Sequence, residues 1–210
     1  MKAAESTTQK QLRDLMFQAL ETEMGGVEIY RMALLCARNE DLKEEWKKYL
    51  AQTERHVEIV RGVFDELGLD PAATTPGRQI VRDKAKALLS SMQRALKDAP
   101  QAAQLVAAEC VVDAETKDHL NWQLLGSLAE KSSGKMKTVL SQAYEAVQEQ
   151  EAEHLFHSKG WCRELWLESL GLPAVLPPEE EARDVKTATD AGRAQDARKP
   201  APKKAKKGRR

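Results

Sequence analysis

Residues 144–157 read YEAVQEQEAEHLFH, and this stretch decides how the rest of the chain is interpreted. On either side of it, from Leu140 to Trp161, apolar residues recur at steps of three and four, and the same steps land on Glu151 and His154. A carboxylate and an imidazole three residues apart lie on one face of a helix, where both can bind the same metal ion. Because burying an unpaired carboxylate costs several kcal/mol or more, the stretch predicts a metal ion in the core of a helical protein.

The composition favours helices over strands. Charged residues make up 31% of the 210-residue chain and aromatic residues 5%, and no segment has a convincing strand pattern. Cys36, Cys110 and Cys162 lie far apart without a CxxC pair, which favours buried thiols in a reducing compartment. No run approaches the roughly 20 apolar residues that span a bilayer. We therefore expect an all-α, cytoplasmic protein that does not enter a membrane.

Helix-start and helix-stop signals predict four long helices and one shorter helix. The expected bounds are about residues 8–38, 40–67, 101–131 and 135–170 for the long helices and 79–97 for the shorter one. Short turns within the first and second pairs of long helices imply two antiparallel hairpins, and the connection of about thirty residues between them is long enough to run the length of a bundle. Residues 1–176 are thus predicted to form a four-helix bundle with a long crossover that contains the shorter helix.

The chain changes character at residue 177. Val185 is the only large apolar residue beyond that point, so residues 177–210 are predicted to be disordered. Eight basic residues and no acid lie between residues 198 and 210, although the formal net charge of the chain is zero. The residues expected to contact nucleic acid or other anions are Lys203, Lys204, Lys206, Lys207, Arg209 and Arg210. A merely solubilising extension is the alternative.

The polar core positions of the two predicted hairpins repeat each other. On the first helix of each hairpin, a Glu precedes an aromatic residue by seven positions; these pairs are Glu23 with Tyr30 and Glu115 with Trp122. On the second helix, a His follows a polar residue by three positions; these pairs are Thr53 with His56 and Glu151 with His154. A single core histidine is usually structural, but several Glu and His residues on inward faces at similar heights favour a metal site.

This pattern resembles the ferritin-like di-iron family of ferritins, rubrerythrins and related oxidases, and the resemblance covers about residues 8–170. The family places one Glu on the first helix of each hairpin and a Glu-x-x-His on the second. The resemblance implies iron, as two ions or one, with manganese as the alternative metal. The implied ligands are Glu23, His56, Glu115, Glu151 and His154. Thr53 departs from the family pattern because it brings neither a charge nor a two-oxygen bridge, which leaves Glu151 as the bridge of a lopsided site.

Two residues are candidates to compensate for Thr53. Glu54 is adjacent to it in the sequence but lies about 100° around the helix, so it would replace Thr53 only if the helix were distorted. His119 lies one turn after Glu115 and is expected either to bind metal or to orient a carboxylate.

Other polar and aromatic residues have less direct roles. Tyr30 and Trp122 lie roughly 10 Å along the axis from the Glu of their own helix, so they are expected to pack in the core or line a cavity, with storage of an oxidising equivalent as the alternative. Trp161 is expected to pack. The residues expected on solvated faces are Glu21, Glu28, Glu54, Glu109, Glu153 and His157.

The resemblance implies oxidation of Fe(II) by O2 or peroxide, in iron or oxidative-stress handling. Because the sequence has nothing like the thiolate-rich iron domain of some rubrerythrins, electrons would come from Fe(II) itself or from a separate donor. One alternative is a di-iron hydroxylase that acts on tRNA or another organic substrate. The other is a non-enzymatic bundle that binds nucleic acid or a partner through its basic tail. A homo-oligomer and a monomer both agree with the sequence.

Overall fold

A computed structural model describes residues 7–199, and this part of the chain contains helices and no strands. The five main helices are α1 (Thr7–Cys36), α2 (Glu40–Leu67), α3 (Pro76–Asp98), α4 (Ala103–Lys131) and α5 (Gly134–Ser169). The prediction of an all-α chain is confirmed, and the observed helix bounds lie within a few residues of those expected. No helix in residues 7–199 has the length and apolar character that a membrane crossing needs.

Local capping explains where the helices begin and end. The Asn39 side chain accepts a hydrogen bond from the first turn of α2. Gly68, with φ of 68°, ends α2 in the left-handed conformation that favours glycine. Helix α3 begins at Pro76, slightly earlier than expected, because Thr75 caps it and proline suits the first helical position.

The four long helices form a closed ring. Helix α1 packs against α2 and α4, and α5 packs against α4 and α2, so the order around the ring is α1, α2, α5, α4. The crossover helix α3 lies outside the ring against α1 and α4. Two apolar clusters fill the ring, one around Tyr30, Trp46 and Trp161 and the other around Phe17 and Phe64. Along each long helix, residues of one cluster are separated from those of the other by a polar middle layer.

The tail does not follow the prediction of disorder beginning at residue 177. Two further helices, α6 (Glu179–Ala182) and α7 (Ala188–Ala197), pack against α5. Arg198 donates two hydrogen bonds, of 2.6 and 2.9 Å, to the fully buried Glu164, and Arg163 donates two of 2.6 and 2.9 Å to Glu180. The prediction considered only apolar burial and missed these charge pairs. The six basic residues expected to contact anions lie outside the described residues.

Three residues expected on solvated faces are buried, namely Glu21, Glu153 and His157. Glu21 is covered because Arg78 and Arg82 of α3 both donate hydrogen bonds to it, which fastens the crossover helix to α1. The expectation of exposure is confirmed for Glu28, Glu54 and Glu109. Within residues 7–199 the three cysteines are free thiols; Cys36 and Cys110 are buried and Cys162 is half-buried.

Candidate metal centre

The polar middle layer receives an acid or an imidazole from each helix of the ring. The contributors are Glu23 on α1, His56 on α2, Glu115 on α4, and Glu151 and His154 on α5. Each of these five side chains belongs to a residue that is at most 4% exposed. The alternation of apolar turns and one polar turn on all four helices therefore brings the five predicted ligands to one level of the bundle.

The five residues form two groups that share Glu151. Glu23, His56 and Glu151 each offer one ligand atom, and these atoms lie within 4.8 Å of one another; Glu115, Glu151 and His154 do the same. Nδ1 of His56 lies 3.0 Å from Oε1 of Glu151 and 3.6 Å from Oε2 of Glu23. Nδ1 of His154 lies 3.6 Å from Oε2 of Glu115 and 3.8 Å from Oε1 of Glu151. The arrangement has the geometry of two adjacent cation positions with one carboxylate between them.

Five buried atoms of this layer have no hydrogen-bond partner within residues 7–199. They are Oε2 of Glu23, Glu115 and Glu151, and Nδ1 of His56 and His154. A buried polar atom without a hydrogen-bond partner destabilises the folded protein by about 1–3 kcal/mol. Five such atoms in one place would therefore destabilise it strongly unless a ligand binds them. Carboxylate oxygens together with imidazole nitrogens are a donor set that suits iron, manganese or zinc.

Two aromatic residues orient the carboxylates of Glu23 and Glu115 through hydrogen bonds. Trp122 Nε1 donates a 2.7 Å hydrogen bond to Oε1 of Glu23, and the Tyr30 hydroxyl donates one of 2.7 Å to Oε1 of Glu115. Each aromatic residue thus contacts the Glu of the opposite helix, because α1 and α4 run antiparallel. The sequence placed them in the core but did not identify this role: each fixes one carboxylate oxygen and leaves the other facing the middle layer.

Two glutamines, which the sequence analysis did not identify, contact the imidazoles. Nε2 of His154 lies 2.7 Å from Oε1 of Gln52, and Nε2 of His56 lies 2.8 Å from Oε1 of Gln150. An amide oxygen accepts, so Nε2 carries a proton, and Nδ1 is the nitrogen that would bind a metal ion once it has given up its own proton. The signal was present in the sequence, since a Gln stands four residues before each of the two His residues.

Glu54 and His119 do not compensate for Thr53. Glu54 points to solvent and accepts a 2.8 Å hydrogen bond from Arg31, so its proposed role as a substitute ligand is wrong; the undistorted α2 turns it away from the core. His119 is half-buried, lies 3.0 Å from the amide nitrogen of Gln123, and belongs to neither group of ligands. Thr53 itself is buried, and its Cγ2 lies 3.2 Å from the position that a Cβ on Gly26 would take, closer than ordinary van der Waals contact.

Asp118 is the acid that the sequence analysis missed. It lies one turn after Glu115, is 4% exposed, and its Oδ1 has no hydrogen-bond partner among the described residues. Burial raises the pKa of Asp118 well above its ordinary range, and the nearby charges of Glu23, Glu151 and Glu115 raise it further. Asp118 thus brings a fourth carboxylate into the field of the other three, on the same helix that carries His119.

Protons occupy this layer when no cation is bound. Burial alone would lower the pKa of His56, but the carboxylates of Glu151 and Glu23 raise it to about 10. Burial, with the charges of Glu23 and Glu115, raises the pKa of Glu151 to about 7, although His56 opposes this shift. An entering cation must therefore displace protons from the layer.

A cavity of about 280 Å³ connects the layer with the surface between α4 and α5. Glu151 and Trp122 line its inner part, His119 lines its wall, and Lys186 and Thr187 of the tail border it. The cavity thus brings solvent next to the helix turn that carries the shared Glu151, which is itself 1% exposed. Comparisons of the chain with models of known protein families, with curated proteins and with solved structures found no match.

Proposed function

We propose that the chain is a ferritin-like metal-binding bundle that holds two iron ions in its middle layer and oxidises Fe(II) with O2 or peroxide. The observation that carries the proposal is the convergence of five buried, unpartnered ligand atoms from four helices at one level. Structural hydrogen-bond networks are normally satisfied, whereas these atoms make no hydrogen bond within the described part of the chain, and the two imidazole nitrogens are only in ion-pair range of the carboxylates.

The proposed ligand sets follow from the two groups. Glu23 and His56 bind one ion, Glu115 and His154 bind the other, and Glu151 contacts both. Iron bound there supplies the electrons, so Fe(II) is the substrate that is oxidised and O2 or peroxide is reduced. The protein contributes the carboxylates that favour the higher oxidation state and the apolar clusters that keep bulk water from both ends of the layer.

Charge balance supports two divalent ions. Glu23, Glu115 and Glu151 carry three negative charges when ionised. Asp118, whose pKa burial raises, adds a fourth only when nearby cations draw off its proton, and together the four would balance two divalent ions. We therefore expect the two ion positions to differ in affinity.

The size of the access cavity favours small oxidants over a large organic substrate. Its volume of about 280 Å³ lies at or below the roughly 300–1,000 Å³ of typical ligand pockets.

Aerobic iron loading of the full-length protein tests the proposal. Metal-free protein is mixed with Fe(II), oxidation is followed by absorbance, and the bound iron is measured per chain. We expect the wild-type protein to oxidise Fe(II) faster than buffer does, and Glu151→Gln to bind about two iron ions fewer per chain and to lose this acceleration, because both positions share that ligand. Glu145→Gln, an exposed change on the same helix, is the matched control. Equal iron content in Glu151→Gln and the wild-type protein would refute the proposal.

A further inference from the structure

A second polar cluster lies in the bundle beside the candidate metal centre. It consists of Glu45 on α2 and of Glu153 and His157 on α5, which are 9%, 6% and 2% exposed. One ligand atom from each residue lies within 4.8 Å of the others. None of the three belongs to the two groups around Glu151, so the cluster needs an explanation of its own.

The contacts within the cluster leave it rich in acceptors. Nδ1 of His157 lies 3.1 Å from Oε1 of Glu45 and 2.9 Å from the hydroxyl of Tyr49, which also contacts Glu45. Nε2 of His157 is buried and has no hydrogen-bond partner in residues 7–199. Burial and the charge of Glu45 raise the pKa of nearby Glu181, so a third carboxylate lies in the same field.

Lys48 marks the point where a cation would bind. Its Nζ contacts Oε1 of Glu153 and lies 3.7 Å from Oε2 of Glu45, so one ammonium group faces both carboxylates. The Lys48 side chain is 47% exposed and reaches the cluster from outside. It can therefore swing into solvent without disturbing the core, as long lysine side chains commonly do.

The fold does not require polar residues at these positions. The first hairpin (α1 and α2) can be aligned with the second (α4 and α5) by matching His56 to His154. Each residue at one end of the bundle then has a counterpart at the other end. Glu45 corresponds to Ala143, eleven residues before the imidazole; Tyr49 corresponds to Val147, seven before; and His157 corresponds to Ile59, three after. Ala143 and Val147 are buried in the apolar cluster around Phe17 and Phe64. At these three positions, one end of the bundle thus has apolar side chains, and the other end has an acid, a phenol and an imidazole.

We propose that Glu45, Glu153 and His157 form a separate site for a divalent transition-metal cation, which displaces the ammonium group of Lys48 when it binds. Two carboxylates and an imidazole suit Zn(II), Fe(II) or Mn(II) better than Mg(II) or Ca(II), which prefer oxygen ligands alone. The Tyr49 ring lies 4.1 Å, centroid to centroid, from the ring of His154. The site is therefore one side chain away from the candidate metal centre, but its existence does not depend on iron chemistry there.

Zinc titration of the metal-free, full-length protein tests the site. We expect the Glu45→Gln, His157→Gln double variant to bind one Zn(II) ion fewer per chain than the wild-type protein in calorimetry. Glu44→Gln, an exposed neighbour, is the matched control and should bind as wild type does. Glu151→Gln should keep this ion, so failure of the site and failure of the proposed iron centre give different results. Equal stoichiometry in the double variant and the wild-type protein would overturn the proposal.

Lys48→Ala provides a second test that removes no ligand. Because two like charges about 4 Å apart repel strongly in a partly buried place, we expect the Kd for Zn(II) at this site to fall at least about tenfold. A purely structural ion-pair network predicts instead a loss of thermal stability with no change in zinc binding. If the double variant does not fold, the Lys48→Ala titration decides: tighter binding supports the site, and unchanged or weaker binding rejects it.

Discussion

Replacing Glu151 by Gln should make the metal-free protein more stable at neutral to alkaline pH while it abolishes metal binding at the candidate metal centre. Glu151 is 1% exposed, and its pKa is raised from 4.5 to about 7, first by burial and then by the charges of Glu23 and Glu115. A carboxyl group with a raised pKa holds its proton more tightly in the folded state. The stability of the metal-free protein therefore falls as the pH rises from 4.5, the pKa of this carboxyl group in the unfolded chain, through about 7, its pKa in the folded protein.

The size of the effect follows from the pKa shift. One pKa unit corresponds to about 1.4 kcal/mol, so the rise from 4.5 to about 7 costs on the order of 3 kcal/mol once Glu151 is ionised. This figure already includes the attraction of His56, which lowers the pKa of Glu151. Gln has the shape of the neutral acid and cannot ionise. We therefore expect Glu151→Gln to exceed the wild-type protein by about 3 kcal/mol near pH 8 and by less than about 1 kcal/mol near pH 5.

The assay is urea denaturation of both proteins with a chelator present, at the two pH values, followed by the same measurement with Zn(II) in excess. Zn(II) should stabilise the wild-type protein more than Glu151→Gln, because binding to the folded state raises the free energy of unfolding and the variant keeps only the separate site of Glu45, Glu153 and His157. Glu145→Gln should behave as wild type throughout. Two results would refute the reasoning. The first is a metal-free Glu151→Gln variant less stable than the wild-type protein near pH 8, and the second is a variant whose gain in the free energy of unfolding is the same at both pH values.

Other perturbations give further outcomes. Tyr30→Phe leaves Oε1 of Glu115 buried without its donor, so the free energy of unfolding should fall by about 1–3 kcal/mol and metal affinity by about 10–100-fold; an unchanged titration would contradict the orienting role. Arg198→Ala removes both hydrogen bonds to the buried Glu164 and should cost about 1–3 kcal/mol in denaturation. Deletion of residues 200–210 should abolish any DNA or RNA retention in a gel-shift assay. The pKa of Glu151 is raised to about 7 and that of His56 to about 10, so Zn(II) must displace protons from these groups. We therefore expect the affinity for Zn(II) to rise between about pH 6 and pH 8, with proton release measured as a buffer-dependent heat in calorimetry. An affinity that falls over this range would contradict the assigned ligands.

The helices were predictable because their ends are set by neighbouring residues in the sequence. Asn39 caps α2 through its own first turn, and Gly68 ends the same helix by adopting a conformation that few other residues tolerate. The five candidate ligands were likewise predictable, because each interrupts an apolar stripe of helical period. Both kinds of signal act over one or two helical turns.

What the sequence did not reveal depends on how helices are rotated and aligned against one another. Positions 118 and 119 are both one turn from Glu115, and only the packing of α4 decides that Asp118 faces the core while His119 lines the access cavity. Similarly, the partners of Tyr30 and Trp122 depend on the antiparallel register of α1 and α4. The order of the tail depends on Arg198 reaching a Glu that is distant in sequence.

The equivalence of the two hairpins has a consequence for minimal metalloprotein design. The hairpin of α4 and α5 carries a complete group of donors, Glu115, Glu151 and His154, together with Trp122. A dimer of this hairpin alone, paired about the approximate twofold axis, would replace Thr53 by a second Glu151 and would make each Trp122 donate to Glu115 of the other copy. The present single chain can thus be viewed as a heterodimer in one polypeptide, in which the α4–α5 hairpin has Glu151 at the position where the α1–α2 hairpin has Thr53.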